Sequence, residues 1–214
     1  STFEIQMKSD QLRAATEITI FTRDKPGLIA SMAGAIASAG ADIVDAKAFT
    51  TKDGMALDCF WVQDAKGKPF DEHERLQNAL NFVRRGFRNK IIQELSKRQT
   101  RLISKHKKYI NIVPRVTINN RASNQHTLIE VSGVDRPGLL FNICQTLTDL
   151  GISIVTAHIS TYGVQAVDVF YVKNKYGMQL SKAAEISRVK ACLLEALNEN
   201  KNIYSTTECP LKED

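Results

Sequence analysis

Two six-residue segments carry the clearest chemistry in this chain. Asp24-Lys25-Pro26-Gly27-Leu28-Ile29 recurs as Asp135-Arg136-Pro137-Gly138-Leu139-Leu140, an offset of 135 − 24 = 111 residues. Each closes a run rich in β-branched residues and opens an amphipathic one, so each joins a strand to a helix N-terminus. The first amides of a helix have no intrahelical acceptor and stand at the positive end of its dipole, which suits them to anions. Gly27 and Gly138 have no side chain to block a ligand from those amides, while Pro26 and Pro137 fix the backbone. Asp24 and Asp135 add acceptors for a cation. An α-amino acid presents a carboxylate and an ammonium on one carbon, so both turns are candidate amino-acid sites. The same aspartates read equally as N-caps of their helices, and the two roles can coexist.

Other chemistries find less support. His73, His106, His126 and His158 are isolated, with no carboxylate at ligand spacing, and there is no Gly-rich phosphate loop. A Ser- or Cys-His-Asp site would need scattered residues with no local signature, so neither a catalytic nor a metal site is expected. His158, between Ala157 and Ile159 on an expected strand, reads as a packed residue. Cys59, Cys144, Cys192 and Cys209 lie far apart and read as reduced thiols, at least two of them core filler. Asp58 and Asp168 alternate with Phe60 and Phe170, which puts them on the same strand face as those aromatics. That pattern suggests buried carboxylates used structurally, hydrogen-bonded to a turn.

The elements that must position the turns follow from the repeat. Its register continues through Gly40/Gly151, Ile43-Val44/Ile154-Val155, Ala46/Ala157 and Thr50/Thr161. After a one-residue deletion it resumes with Asp58/Asp168, Phe60/Phe170, Val62/Val172 and Gly67/Gly177. Two copies make a tandem pair of small domains, not a solenoid. Each copy reads as a strand (Glu17 to Thr22; Thr127 to Ser132), a helix with proline in its first turn and glycine at its C-cap, and a hairpin. The hairpins are Asp42 to Gln63 through Lys52-Asp53-Gly54 and Ser153 to Lys173 through Tyr162-Gly163-Val164. A second helix follows. In copy one an Asp71/Glu74 capping box opens it, and Leu76, Leu80, Val83, Phe87, Ile91 and Leu95 hold one face. In copy two Ser181 caps a helix carrying Ile186, Val189, Leu193 and Leu197. Closing strands are expected at Arg115 to Asn119 and Ile203 to Thr207.

The resulting order is βαββαβ, an α+β ferredoxin-like plan in which helices cover one face of an antiparallel sheet. The expected boundaries are 12–120 for the first domain, 121–125 for a linker and 126–208 for the second domain. Leu57, Cys59 and Trp61, matched by Val167, Val169 and Tyr171, make the other sheet face apolar enough to need a cover. Open edges and a short polar linker should bring the copies side by side. The turn of one would then meet the second strand of the other, around Ile43 to Lys47 or Ile154 to His158, with ligand between them.

Composition sets the remaining bounds. With 43% hydrophobic and 24% charged residues, the 214-residue chain is neither disordered nor fibrous. No stretch reaches the ~18 uninterrupted apolar residues of a membrane span, and Ser1 to Ala14 lacks a signal core, so a cytoplasmic location is expected. The net charge of +6 is local: Arg84 to Lys108 holds ten basic residues and one acid, 10 − 1 = +9, leaving 6 − 9 = −3 elsewhere. That segment reads as the solvated face of a long helix, a docking surface for an acidic partner, or a nucleic-acid patch. For the last, the strands lack the stacking aromatics of RNA-recognition domains.

A strand, D-[KR]-P-G-[LI] opening a helix, and a hairpin ending in D-x-F-x-V together resemble the ACT domain, a small regulatory module that binds amino acids. Ile43-Val44-Asp45-Ala46-Lys47, Arg121-Ala122-Ser123-Asn124, Ala157-His158-Ile159-Ser160-Thr161-Tyr162-Gly163 and Val167-Asp168-Val169-Phe170-Tyr171-Val172 extend the resemblance. From about Thr16 to Leu197 the chain is similar to the C-terminal tandem ACT region of the bacterial PII uridylyltransferase/uridylyl-removing enzyme family. The resemblance implies glutamine as an allosteric ligand that signals nitrogen status and shifts the parent enzyme from uridylylating PII toward removing the nucleotide. The ligand-binding positions it implies are Asp24 to Ile29 and Asp135 to Leu140, with Ile43, Val44, Ile154 and Val155. Copy one departs mildly from the pattern at Lys25 and Ile29. The implied partners are the catalytic domains of the parent chain, the PII protein and a second copy through ACT pairing, with no membrane and no nucleic acid. Magnesium is implied only for the missing catalytic domains. The competing reading is an interaction module that docks those domains or PII and binds no small molecule.

Overall fold

The computed structural model describes residues 2–86, 89–95 and 112–198. The first unit runs β1 (Phe3–Asp10), β2 (Ala15–Arg23), α1 (Leu28–Ala39), β3 (Asp42–Thr50), β4 (Met55–Gln63) and α2 (His73–Arg84). A helical segment, α3, covers residues 89–95. The second unit runs β5 (Arg115–Asn119), β6 (Thr127–Val134), α4 (Leu139–Asp149), β7 (Ser153–Tyr162), β8 (Gln165–Lys173) and α5 (Ala183–Leu197). All eight strands form one antiparallel sheet in the order β1-β2-β4-β3-β7-β8-β6-β5. These are two ferredoxin-like α+β repeats on a shared sheet.

The seam between the units is β3 against β7, from Asp45↔Ser160 through Lys47↔His158 to Phe49↔Thr156. Above it, α1 packs on α2 and on α4, and α4 on α5. Period-two alternation turns two rows of residues toward these helices. One row crosses the sheet as Ile5, Ile20, Asp58, Ala48, Ala157, Phe170, Ile129 and Ile118. The other crosses as Met7, Ile18, Phe60, Ala46, Ile159, Asp168, Val131 and Val116. Small residues mark the seam (Ala46, Ala48, Ala157), and Gly34 marks the α1–α4 crossing. A Cβ on Gly34 would lie 2.8 Å from Phe141 Cδ2 and 3.0 Å from Ile91 Cγ2, so the helices meet this closely only because the side chain is absent.

Several expectations are corrected. Arg115–Asn119 is a strand, but it pairs with β6 of the second unit, from Arg115↔Ser132 to Asn119↔Leu128, and does not close the first. The edge of β2 is taken by β1, a strand not foreseen in Ser1 to Ala14, although Phe3, Ile5 and Met7 alternate with Glu4, Gln6 and Lys8. Both pairings are local hairpins, which cost less loop entropy than a return from beyond α2. Thus each unit has a leading strand followed by βαββα.

The long second helix is broken where Gly86 takes φ 72°. Neither expected side-chain cap forms: α2 has Glu72 and α5 has Lys182 at the N-cap, both without a side-chain cap bond. Nothing among the described residues covers the sheet face opposite the helices, where Phe49 is 52% and Leu57 42% exposed. Trp61 on that face is nonetheless buried. Its Nε1 donates to Asp10 Oδ2 at 3.0 Å, and the Arg13 guanidinium lies 4.6 Å from the ring centre. Cys59 and Cys144 are free, whereas Cys192 is disulfide-bonded instead of reduced. The expected strand Ile203 to Thr207, Phe87 and most of the basic segment Arg84 to Lys108 also lie outside the described residues. No helix among the described residues is long and apolar enough to cross a membrane.

Candidate functional site

Each Asp-Lys/Arg-Pro-Gly segment folds as a tight turn ahead of its helix. Leu28 N donates to Lys25 O at 3.1 Å and Leu139 N to Arg136 O at 3.0 Å. Gly27 has φ 76°, ψ 10° and Gly138 has φ 83°, ψ 3°. Proline followed by a positive-φ glycine defines a type II turn. The glycines themselves are the N-caps, with no side-chain cap bond. The expected aspartate N-cap and first-turn proline are therefore corrected: the type II turn places Pro26 and Pro137 just outside the helices and leaves both aspartates free of capping.

Asp24 instead ties its turn to the neighbouring hairpin. Its amide donates to Gly54 O at 2.9 Å, and its Oδ2 accepts from Thr50 Oγ1 at 2.9 Å. Asp135 N donates to Val164 O at 2.8 Å in the corresponding place. Burial pushes the Asp135 carboxyl up to about 6; the Asp42 carboxylate adds to the rise, while the Arg136 amide and charge oppose it. The Arg136 guanidinium donates to Ala196 O at 2.7 Å and Leu197 O at 3.0 Å, so it caps the C-terminal carbonyls of α5. Lys25 and Pro26 are exposed, Leu28, Leu139 and Leu140 are buried, and Ile29 is half-buried.

Below the helices lie two carboxylates that were expected to be structural. Asp58 and Asp168 are 1% and 2% exposed, the only charged positions in the two helix-facing rows. Each accepts one strand amide, that of Phe49 or Ser160, and not a turn as expected. Asp58 Oδ2 and Asp168 Oδ1 have no hydrogen-bond partner among the described residues. Burial pushes Asp58 up to about 7, reinforced by Asp24 and opposed by the Phe49 amide. It pushes Asp168 up to about 8, reinforced by Asp135 and opposed by the Ser160 amide. Each turn aspartate is thus electrostatically coupled to a buried aspartate of its own unit.

The opposite unit closes each turn. A Cβ on Gly27 would lie 3.3 Å from Thr148 Cγ2 at the end of α4. One turn back on α4, Cys144 is fully buried; burial, then Asp168 and Asp58, push its thiol well up. On the other side Asp42, the first residue of β3, acts on Asp135. Ile43 and Val44, and Ile154 and Val155, sit at matching bulges, since the register shifts between Ile43 and Asp45 and between Ile154 and Thr156. Bulges of this kind re-aim neighbouring side chains. His158 is exposed on the outer face, away from both turns.

Sequence reasoning missed Asp42, Asp58, Cys144, Thr148 and Asp168 as neighbours of the turns. The one available signal was an aspartate alternating with aromatics in both copies. The assembled groups offer helix-terminal amides for a carboxylate and paired carboxylates for a cation. Among the described residues, no group of three or more His, Cys, Asp or Glu side chains could hold a metal ion. A separate open cleft of about 460 Å³ lies between α1, α2 and α3, lined by Arg75, Asn78, Phe82 and Lys90 among others, and it includes neither turn.

Residues 122–199 match the ACR family N-terminal ACT domain. The chain is 42% identical over 190 residues to the bifunctional uridylyltransferase/uridylyl-removing enzyme of Gluconobacter oxydans, covering 86% of this chain and 20% of that protein. It is 42% identical over 196 residues to the Azospirillum brasilense enzyme of the same name, covering 90% and 21%. For the Rhodospirillum rubrum enzyme the figures are 36% over 199 residues, 92% and 21%. The chain therefore spans about a fifth of the length of these relatives. Among solved structures, aspartate kinase from Synechocystis aligns with a TM-score of 0.43 and 16% identity, over 84% of this chain and 26% of the kinase.

Proposed function

We propose that this chain, a tandem ACT region matching about a fifth of bacterial bifunctional uridylyltransferase/uridylyl-removing enzymes, senses a free α-amino acid, glutamine, for a parent chain of that kind. The observation that carries the reading is the placement of each Pro-Gly turn at the junction of the two units, with a carboxylate beside it. Helix-terminal amides following Gly27 and Gly138 take the ligand carboxylate, and the aspartate pairs take its ammonium. Ile43, Val44, Ile154 and Val155 border the same junctions. A ligand there touches both units, so its differential affinity for two seam geometries is the signal passed to the catalytic domains outside this chain. In the parent enzyme that signal shifts uridylylation of PII toward nucleotide removal in the cytoplasm, and any magnesium belongs to those domains.

Calorimetry of this chain against the twenty amino acids tests the proposal. Heat saturating with glutamine supports it, and no heat from any of them removes it. A second reading is favoured by the exposed Phe49 and Leu57 on the open sheet face. There the chain is a ligand-free module that docks the catalytic domains, PII or a second copy. Capture of purified PII by the ligand-free chain, lost in Phe49→Asp, supports this alternative.

A further inference from the structure

We infer that Asp58 and Asp168 seat the ligand's ammonium group, and that each releases a proton when the ammonium arrives. This rests on the amino-acid reading above and deepens it: within each aspartate pair the buried member is the seat, and a proton is coupled to its filling. The argument begins with their cost. An aspartate in an otherwise apolar row is expensive to bury, and leaving one oxygen bare loses a further ~1–3 kcal/mol. Asp58 Oδ2 and Asp168 Oδ1 are both bare, in twin positions of the two units. Neither protonation state cures this within the described structure: an ionised carboxylate lacks a donor there, and a neutral acid leaves its O–H without an acceptor.

The groups facing them sharpen the conclusion. Asp24 from the first turn and the Phe49 amide from β3 act on Asp58, and Asp58 in turn acts on the Cys144 thiol of α4. Asp135 from the second turn and the Ser160 amide from β7 act on Asp168, which likewise acts on the Cys144 thiol. Among the described residues these sets contain a carboxylate, a thiol and one amide each, with no lysine or arginine. The nearest turn guanidinium, Arg136, is engaged by the α5 carbonyls. A primary ammonium supplies both the missing charge and the missing donors. The exchange balances as a neutral carboxylic acid plus a ligand ammonium giving a carboxylate–ammonium pair and a proton passed to buffer.

The test is glutamine calorimetry on the wild-type chain in buffers of different ionisation enthalpy. Near pH ~6.5 the heat should vary with buffer, reporting release of up to about one proton per bound ligand; above pH ~9 the variation should vanish. Asp58→Asn and Asp168→Asn, isosteric and neutral, should each weaken binding at the affected site by about tenfold or more and remove its share of the release. Their thermal midpoints should stay level or rise, which separates loss of binding from loss of fold. Binding with buffer-independent heat and unchanged affinity in both variants would overturn the inference alone, assigning the carboxyls to ordered water. No binding by the wild-type chain would overturn the amino-acid reading, and this inference with it.

Discussion

Lys47 of β3 stands directly opposite His158 of β7, and the two are 158 − 47 = 111 residues apart, the offset of the repeat itself. A pseudo-twofold axis therefore passes through this pair. It exchanges the two helix-facing rows, carrying Ile20 onto Val131, Phe60 onto Phe170 and Asp58 onto Asp168. It also carries β1 onto β5, since Ile5 and Val116 share the same offset. Departures from the symmetry are then informative. Phe21, Leu57 and Phe49 form an apolar run on the outer face, where the twin positions are Ser132, Val167 and Ser160.

Gly34 is one such departure, its twin being Gln145. Alanine in a helix interior ordinarily gains ~1 kcal/mol over glycine. Here its Cβ would sit 2.8 Å from Phe141, so Gly34→Ala should destabilise the chain by about 1–3 kcal/mol. Urea unfolding of Gly34→Ala, Phe141→Leu and the double variant should show a favourable coupling, with Phe141→Leu relieving part of the overlap. Equal stability of Gly34→Ala and wild type would disprove the close crossing.

Gly27 reports on the turn. Its φ of 76° disfavours any Cβ, and Thr148 adds a 3.3 Å contact. Gly27→Ala should cost about 1–2 kcal/mol in thermal or urea unfolding. Adding Thr148→Ser should recover only the steric share. Gly163→Ala, at φ 63° with nothing within 4 Å, should cost less and leave amino-acid binding intact.

The legibility of these features differed by kind. The repeat, the turn residues and the hairpins rest on local residue types, so Asp24 to Leu28, Lys52-Asp53-Gly54 and Tyr162-Gly163-Val164 could be placed from sequence. The side-by-side seam followed from open edges. Strand partners could not be placed in this way: Arg115–Asn119 has the same residues whichever unit it joins, and hairpin closure decided the matter. Caps failed because each second helix starts one residue later than Asp71 or Ser181 implies, with Glu72 and Lys182 at the N-caps. Asp58 and Asp168 were visible as buried, yet what faces them comes from α4 and the turns, far away in sequence.

The raised carboxyls set an unusual pH dependence. An acid whose folded pKa lies above its unfolded value holds its proton more tightly when folded. Its contribution is therefore most favourable below the unfolded value near 4 and falls as pH rises to the folded value. With Asp135 pushed up to about 6, Asp58 to about 7 and Asp168 to about 8, the ligand-free chain should lose stability from pH ~4 to ~8 and level off above. Urea midpoints should fall across that range, and Asp58→Asn with Asp168→Asn should flatten most of the drop. A stability curve rising across that range would contradict the burial of these groups.

Removing β1 should expose a live edge. Eight registered pairs join it to β2, and Ile5 and Met7 pack on the core. A chain beginning at residue 12 should be less stable by about 2–4 kcal/mol and should self-associate through β2, as seen by sedimentation. A stable monomer would show that β1 contributes little.

The β3–β7 seam has a consequence for assembly, because its hydrogen bonding cannot tell one molecule from another. Unit two of the same chain and unit two of a neighbour present β7 identically to β3, and only the tether through residues 85–114 favours the former. Joining two modules in one chain confers an effective concentration of up to about millimolar. Above that level, or during refolding from concentrated denatured stocks, reciprocal exchange should give dimers in which each junction combines the turn of one molecule with the α4 of another. Such dimers would keep every local contact of the monomer and would separate only by opening the seam.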